Sequence, residues 1–178
     1  MRIVGSYMGL EFIQTYNGTE GWTVNPFSGS SEPQPFTADD LKNVKIQADM
    51  DGLLWNWKDK GYTVTLEGTE DVEGTPCFKI KVITDAKDEY LIFIDQDSYV
   101  MIRTSSKMKV MENEVESDTY YSNYKQFNGI AMPCNITNMY NGTTGEVIVI
   151  ENVEMDIDMQ DALFEKPVVA STTEGNKE

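Results

Sequence analysis

The sequence predicts a mainly β fold of the α+β class, in which consecutive strands form an antiparallel meander with one or two short helices. Two observations predict the strands: Asn-Gly pairs recur between strand-like segments, and several segments alternate apolar and polar residues. A third predicts a helix, because apolar residues follow helical spacing in one short region. The Asn-Gly pairs, which suit the positive-φ positions of a type I′ hairpin turn, are Asn17-Gly18, Asn128-Gly129 and Asn141-Gly142.

The strands follow in chain order from these signals. The segments that flank the three turns are 10–16, 20–25, 117–127, 130–139 and 145–154. Segment 62–67 alternates as well. Segment 76–83 places Phe78 and Ile80 on one face, which is predicted to be buried, and Lys79 and Lys81 on the other, which is predicted to be solvated. Segment 89–95 is apolar on both faces, so we expect it to be covered on both sides, by the core and by a helix, a loop or a ligand.

One region interrupts the strands. Segment 25–36 carries three prolines and small polar residues and is predicted to be an irregular loop. Thr37 and Asp40 then resemble a capping box, and a helix of about three turns is predicted from about residue 38. Its apolar positions are Leu41, Val44 and Ala48. Segment 53–60 is predicted to be a short second helix or a turn, and segment 160–165 a single helical turn.

Length and charge exclude several classes of protein. The chain has 178 residues, which is enough for one domain with a real core. Its 30 acidic and 14 basic residues give a net charge of -16, which would repel both phosphate backbones and anionic membrane surfaces, so we expect no nucleic-acid partner. No stretch approaches the roughly 20 apolar residues of a membrane span. The complete lack of histidine removes the commonest general base and metal ligand.

The sequence contains few groups that favour catalysis or metal binding. Cys77 and Cys134 are far apart and form no metal-binding pair. They could join in one disulfide in an oxidising compartment, or both could be small buried apolar residues. The acidic clusters at 95–97 and 156–161 lack the glycine and distal glutamate of a calcium loop. We therefore expect no metal and no cofactor. A pair of carboxylates for glycoside hydrolysis stays open, although nothing singles out such a pair.

Eight short motifs follow one another along the chain, up to about residue 167. The first are Tyr16-Asn17-Gly18-x-x-Gly21-Trp22, Asn25-Pro26-Phe27, Pro33-Gln34-Pro35 and Asp49-x-Asp51-Gly52. The later ones are Glu70-Asp71-Val72-Glu73-Gly74-Thr75, Asp95-x-Asp97-Ser98-Tyr99, Ser122-Asn123-Tyr124-Lys125 and Leu163-Phe164-x-Lys166-Pro167. No single motif is catalytic. In their order and spacing they resemble outer-membrane lipoprotein-sorting proteins of the LolA-like superfamily from Bacteroidetes.

The resemblance implies a strongly curved antiparallel sheet that forms an incomplete barrel, with one or two short helices covering its concave face. An apolar cavity there would hold acyl chains in transit through the periplasm. Family members carry a signal sequence and an N-terminal helix before the first strands, whereas this chain begins on strand-like residues. We therefore expect a single domain over 1–168 that lacks this helix and the first strand, followed by a disordered tail over 169–178.

Aromatic residues near the predicted loop and helix are the candidates for a binding site. Composition alone favours an ordinary core over a lipid-binding cleft, since apolar side chains are usually simply buried. With the resemblance, the residues expected to line the cavity and its lid are Trp22, Phe27, Phe36, Leu41, Val44, Trp55, Trp57, Phe78, Ile80 and Tyr90.

The resulting hypothesis is a non-enzymatic carrier in the periplasm or at the outer membrane, whose partners are lipoprotein acyl chains or other lipids. The alternative is a non-enzymatic envelope module with a filled core, which presents its acidic outer face or a sheet edge to a protein partner. A hydrolase that uses two carboxylates is a third hypothesis. It would require a close acidic pair in a cleft with at least one raised pKa.

Overall fold

The computed structural model describes residues 1–110 and 113–168, and it divides the chain into two compact units. The N-terminal unit comprises Met1–Gly52 and the described residues from Ile157 onward. The central unit comprises Leu53–Asp156. Both units are built mainly from antiparallel strands, which confirms the predicted fold class.

The N-terminal unit contains a four-stranded sheet and the α-helix. In chain order its elements are β1 (Arg2–Tyr7), β2 (Leu10–Tyr16), β3 (Gly21–Asn25), β4 (Ser30–Pro35) and α1 (Ala38–Gln47). Short 3-10 turns lie at Pro26–Ser28 and Asp161–Phe164. The strands are neighbours in sequence order, β1-β2-β3-β4, and every pair is antiparallel, as expected of a meander.

The central unit contains a seven-stranded antiparallel sheet. Its strands are β5 (Thr63–Val72), β6 (Thr75–Ile83), β7 (Glu89–Asp95), β8 (Met101–Val110), β9 (Asn113–Phe127), β10 (Ile130–Tyr140) and β11 (Thr143–Val149). Their spatial order also follows the sequence, so that β5 and β11 form the two edges. The chain therefore folds by successive hairpins, each closed by a short connection.

The start of α1 is confirmed in detail. The Thr37 hydroxyl accepts a hydrogen bond from the Asp40 backbone N–H at 3.2 Å, and the Asp40 carboxylate accepts one from the Thr37 N–H at 2.9 Å. This reciprocal pair satisfies two backbone donors that the helix leaves free at its N-terminus. Two acidic residues in the first turn also complement the helix dipole. The local sequence therefore determines where this helix begins.

Two of the three Asn-Gly turns have the predicted geometry. Both residues have positive φ at Asn128-Gly129 (46° and 83°) and at Asn141-Gly142 (49° and 75°). At Asn17-Gly18 the prediction of a two-residue turn is wrong, because φ is positive only at Gly18 and the connection runs to residue 20. The Asn17 side-chain oxygen there accepts hydrogen bonds from two following backbone N–H groups, at 3.0 and 2.9 Å. This Asx-type bonding closes the longer loop.

The predicted irregular loop over 25–36 is wrong for its second half. A 3-10 turn occupies Pro26–Ser28, and β4 then pairs with β3. Pro33 and Pro35 fit a strand here because β4 is an edge of the sheet, where a missing backbone N–H leaves no ladder partner unsatisfied.

The segment 53–60 forms a series of hydrogen-bonded turns, which was one of its two predicted forms. Asn56 has a φ of 51°, which an α-helix does not accommodate. The strand β8 was not predicted, because no sequence signal identified it. The predicted single domain over 1–168 stays a prediction, and the predicted tail over 169–178 lies outside the described residues.

The core of the central unit lies where its sheet is covered on both sides. Ile92 and Phe93 follow each other in β7 and are 0% and 1% exposed. Successive residues of a strand point to opposite faces, so both faces are covered at this point, as predicted. Phe93 packs with Val72 and Cys77 in one buried cluster. The thiols of Cys77 and Cys134 are both free and buried, as predicted for two small buried apolar residues and not for a disulfide.

Candidate functional site

The N-terminal unit contains an open cleft of about 280 Å³. Its lining comes from the end of β2, the end of α1 and the 3-10 turn near the C-terminus. The lining residues are Met1, Tyr16, Asn17, Gly18, Ala48 and Phe164. The volume lies just below the roughly 300–1,000 Å³ typical of small-molecule sites. A cleft of this size suits part of an apolar chain or a small group.

Hydrogen bonds fix one wall of this cleft. The Tyr16 hydroxyl donates to the Gly18 carbonyl at 2.6 Å, so the aromatic ring is held against the loop that follows β2. The Asn17 amide donates to the Glu165 carboxylate at 3.3 Å. The guanidinium of Arg2 donates to the Leu163 carbonyl at 3.2 Å, which ties the 3-10 turn to the sheet. The position of Phe164 in the cleft follows from these contacts.

The opposite wall comes from the helix. Val44 is buried, and Ala48 lies four residues later on the same side of α1, where the helix ends. The small side chain of Ala48 leaves the space that the cleft occupies. The lining combines apolar groups of Met1, Tyr16, Ala48 and Phe164 with polar ones, namely the Asn17 amide and the Met1 amino group, which donates to the Tyr16 carbonyl at 2.7 Å.

The sequence pointed to the cleft only indirectly. Tyr16-Asn17-Gly18 and Leu163-Phe164 belong to two of the motifs on which the family resemblance depends. These motifs are far apart in sequence and meet at this cleft. No pattern of hydrophobicity showed that they would meet, since each is a short turn segment. None of the ten predicted cavity residues lines this cleft.

Five of those ten residues lie in the N-terminal unit. Trp22 lies in β3, between Thr15 and Pro35 of the neighbouring strands. The ring of Phe36 lies directly over Gly21, where an added Cβ would come within 2.1 Å of it. Phe27 is half exposed and contacts Tyr7 edge to face, with 5.9 Å between ring centroids.

The other two residues of the N-terminal unit lie on α1. Val44 is buried, whereas Leu41 is partly exposed one turn earlier. Both lie on the apolar side of the helix, as the helical spacing predicted.

The remaining five predicted residues lie in the central unit. Trp55 is 65% exposed in the turn segment, and Trp57 is partly buried close by in sequence. Phe78 lies in β6 and stacks on Tyr99 at a centroid distance of 6.3 Å. Ile80 and Tyr90, in β6 and β7, are partly buried.

The face of the central sheet opposite Phe78 carries a charged cluster that the sequence did not reveal. Glu70 accepts hydrogen bonds from Lys79 at 2.9 Å and from Arg103 at 3.3 Å. The Arg103 guanidinium also lies 4.0 Å from the centroid of the Phe93 ring. Asp118 is 3.9 Å from the Arg103 Nε. Because these residues come from five different strands, no local motif could have identified the cluster.

The pKa shifts of two carboxylates in this unit do not suit a general acid. The hydrogen bond from Lys79, followed by the nearby positive charges, holds the pKa of Glu70 below its usual range. Hydrogen bonds from Ser98 and the Asp97 backbone likewise lower the pKa of Asp95. Burial raises the pKa of Tyr124 to about 12. Both carboxylates are thus stabilised as anions, whereas a carboxylic acid catalyst would need a raised pKa.

The acidic segment 95–97 closes a turn. The Asp95 carboxylate accepts hydrogen bonds from the Asp97 and Ser98 backbone N–H groups at 3.1 and 3.4 Å. Over residues 1–110 and 113–168, no group of three or more potential ligands is arranged to hold a metal ion. In the same part of the chain, no helix is both long and apolar enough to cross a membrane.

Solved structures show a similar fold. A LolA superfamily protein from Nitrosomonas europaea superposes with a TM-score of 0.52 at 13% identity, over 91% of this chain and 73% of the other. A DUF1329 family protein from Desulfovibrio piger has a TM-score of 0.52 at 16% identity, over 87% and 68% of the two chains. At such low identity the likeness shows the fold alone.

A search among curated proteins finds no match. The sequence model of a protein family described as "Uncharacterized protein" matches residues 24–169. This match extends from β3 past the C-terminal 3-10 turn and covers most of both units. Because the match covers well over half of the chain, the chain belongs to this family.

Proposed function

We propose that the protein is a non-enzymatic carrier or chaperone that binds the acyl chains of lipids or lipoproteins in the periplasm or at the outer membrane. The observation that carries the proposal is the cleft between Tyr16, Ala48 and Phe164, in which two LolA-like motifs meet within a fold like that of a LolA superfamily protein. The cell envelope of a Bacteroidetes bacterium is the proposed setting, on the basis of the motifs.

Apolar burial would drive the binding. Each Å² of apolar surface removed from water contributes about 25 cal/mol. Phe27 in the N-terminal unit and Trp55 in the central unit each expose a large apolar surface that cargo could cover. We propose that the cleft and, in each unit by itself, the predicted residues contact the cargo.

A fluorescent fatty acid tests the cleft. Dansyl-labelled undecanoic acid should bind with enhanced emission, and palmitate or a triacylated lipopeptide should displace it. Ala48→Phe should weaken binding at least about tenfold, because the new ring fills the space between Tyr16 and Phe164. Gln47→Phe adds the same ring at an exposed neighbouring position and should leave binding unchanged. If no lipid displaces the probe, the proposal is wrong.

Matched variants test the two exposed aromatic residues. Phe27→Ser and Trp55→Ser should each weaken probe binding several-fold, since each removes exposed apolar contact surface. Met50→Ser and Ile130→Ser change other exposed apolar residues of the same two units that are not predicted to contact cargo. Equal losses in all four variants would argue against a specific site.

A second function has one observation in its favour. In the interaction-module hypothesis the protein presents a sheet edge to a partner, and β11 is an exposed edge strand. Two results would support this second function over the carrier. The interior would be filled, and the protein would bind its partner with the same affinity whether or not lipid is present.

A further inference from the structure

The edge strand β11 is exposed along its whole length. All seven residues of Thr143–Val149 are exposed, including three consecutive apolar ones. Val147 is 59% exposed, Ile148 39% and Val149 61%. Because Val147 and Val149 point to one face and Ile148 to the other, this edge is apolar on both faces. Such an edge is a template for an additional strand.

The backbone groups available at this edge can be assigned. The Ile150 N–H donates to the Cys134 carbonyl at 2.8 Å, so the backbone groups of residue 150 point toward β10. In an antiparallel pair, inward and outward positions alternate. The backbone N–H and C=O groups of Ile148 therefore also point toward β10. Those of Val147 and Val149 point away from β10, to the open side of the edge. The register is regular here, since the shift lies at Asn138/Met139.

The edge carries one usual protection against strand addition, a bulge at the register shift opposite Asn138/Met139, but this bulge lies before Glu146 and leaves Val147–Val149 regular. Natural edge strands are often blunted by prolines, lysines or bulges. The edge strand β4 of the other sheet follows this rule with Pro33 and Pro35. β11 contains neither proline nor lysine, and its one charged residue, Glu146, is held by the Asn138 amide at 2.9 Å.

The negative charge around the edge favours a positively charged partner. From residue 126 to residue 156 the sequence contains no lysine or arginine. Its charged residues are Glu146, Glu151, Glu154 and Asp156. A second copy of the chain would bring the same negative charges to the edge, whereas a basic segment would neutralise them.

We propose that β11 is a docking edge for an extended segment of a partner protein, in which apolar residues alternate with lysine or arginine. The segment adds to the central sheet as an eighth strand. Outward backbone groups of Val147 and Val149 supply the hydrogen bonds, and the exposed apolar side chains supply contact surface. The proposal concerns the central unit alone and does not depend on acyl-chain binding.

A defined peptide tests the proposal on the full chain. The probe is a fluorescently labelled, end-capped peptide Thr-Val-Lys-Val-Lys-Val-Thr, and its binding is measured by anisotropy. A peptide with glutamate in place of both lysines should bind at least about tenfold more weakly, and added salt should weaken the lysine peptide. A lysine peptide N-methylated at its five central residues, and so blocked on both of its edges, should also lose at least about tenfold, because it cannot complete the backbone ladder.

Variants of the edge provide a matched pair. Val147→Pro removes an outward N–H, a substitution that an edge strand tolerates, and should weaken peptide binding about tenfold. Val147→Thr keeps the N–H and the β-branched shape and should bind within about threefold of the original. Both variants should bind the dansyl fatty acid normally, so failure here and failure of the carrier proposal are distinguishable.

Three results would overturn the proposal. The first is equal affinity for the lysine and glutamate peptides, and the second is unchanged affinity for the N-methylated peptide. The third is a concentration-dependent dimer that Val147→Pro abolishes while the lysine peptide does not bind, which would assign the edge to a second copy. The N-methylated peptide uses the unaltered protein, so the test does not depend on how Val147→Pro folds.

Discussion

The guanidinium of Arg103 lies over the ring of Phe93, 4.0 Å from its centroid, while the same guanidinium bonds to Glu70. A planar cation that is held on one face by an aromatic ring and at its edge by a carboxylate has little freedom to move. The cluster therefore orders the side chains on this face of the central sheet.

Arg103→Lys should lower the free energy of unfolding by about 1 kcal/mol, because an ammonium group does not reproduce the stacked plane. Urea denaturation measures the change. Lys107→Met is the control, since its ion pair with Glu114 is mostly exposed and should contribute less than about 0.5 kcal/mol. Equal losses in the two variants would contradict a specific role for the stack.

The Glu70 carboxylate should contribute stability that depends on pH. Because its pKa is lowered in the folded protein, its contribution is present above the ordinary carboxyl pKa and is lost as the pH falls through the lowered value. Glu70→Gln should therefore cost more stability at about pH 7 than at about pH 3. Glu89→Gln breaks the more exposed pair with Lys81 and should cost less stability at about pH 7 than Glu70→Gln does. A cost for Glu70→Gln that does not change with pH would contradict the prediction.

Two buried threonines should respond oppositely to valine. The Thr15 hydroxyl is fully buried and has no hydrogen-bond partner among residues 1–110 and 113–168, so Thr15→Val should leave stability unchanged or raise it by up to about 1 kcal/mol. The Thr84 hydroxyl accepts a hydrogen bond from the Asp88 N–H at 3.1 Å. Thr84→Val should therefore cost about 1–2 kcal/mol. Thermal unfolding of both variants provides the comparison, and a larger loss at Thr15 would show that its hydroxyl has a partner.

Gly21 should tolerate no side chain while Phe36 is present. Gly21→Ala should cost about 1–3 kcal/mol, because the added Cβ overlaps the ring. In a Phe36→Leu background the same change should cost less, and the double-mutant cycle gives the coupling. Additive effects would show that the ring moves away without cost.

Much of the fold could be predicted because its signals are local. A capping box, a type I′ turn and an alternating strand each depend on a few consecutive residues. β4 was missed because the tolerance for its prolines comes from its place at the sheet edge, which no short window of sequence reveals. β8 was missed because its sequence, 101–110, is largely polar and its pairing with β7 and β9 determines its conformation.

The candidate site was harder to predict than the fold. The cleft joins a loop after β2 to a turn near the C-terminus, and such long-range contacts leave no periodic pattern. The Glu70 and Arg103 cluster shows the same difficulty, because Lys79 was expected on a solvated face and instead contacts Glu70 there. The aromatic candidates near the loop and turn were chosen by residue type, which does not distinguish a half-exposed Phe27 from a partly buried Trp57.

The lack of lysine and arginine in the sequence around β11 also determines how a partner could be detected. Trypsin cleaves after lysine and arginine, and the sequence offers neither between Lys125 and Lys166, which is itself followed by proline. The strands β10 and β11 therefore leave a tryptic digest together in one very long peptide. Amine-reactive cross-linkers have no lysine to attack on this stretch. A partner at this edge would be found by carboxylate-directed coupling at Glu146 or Glu151 and by cleavage at acidic residues.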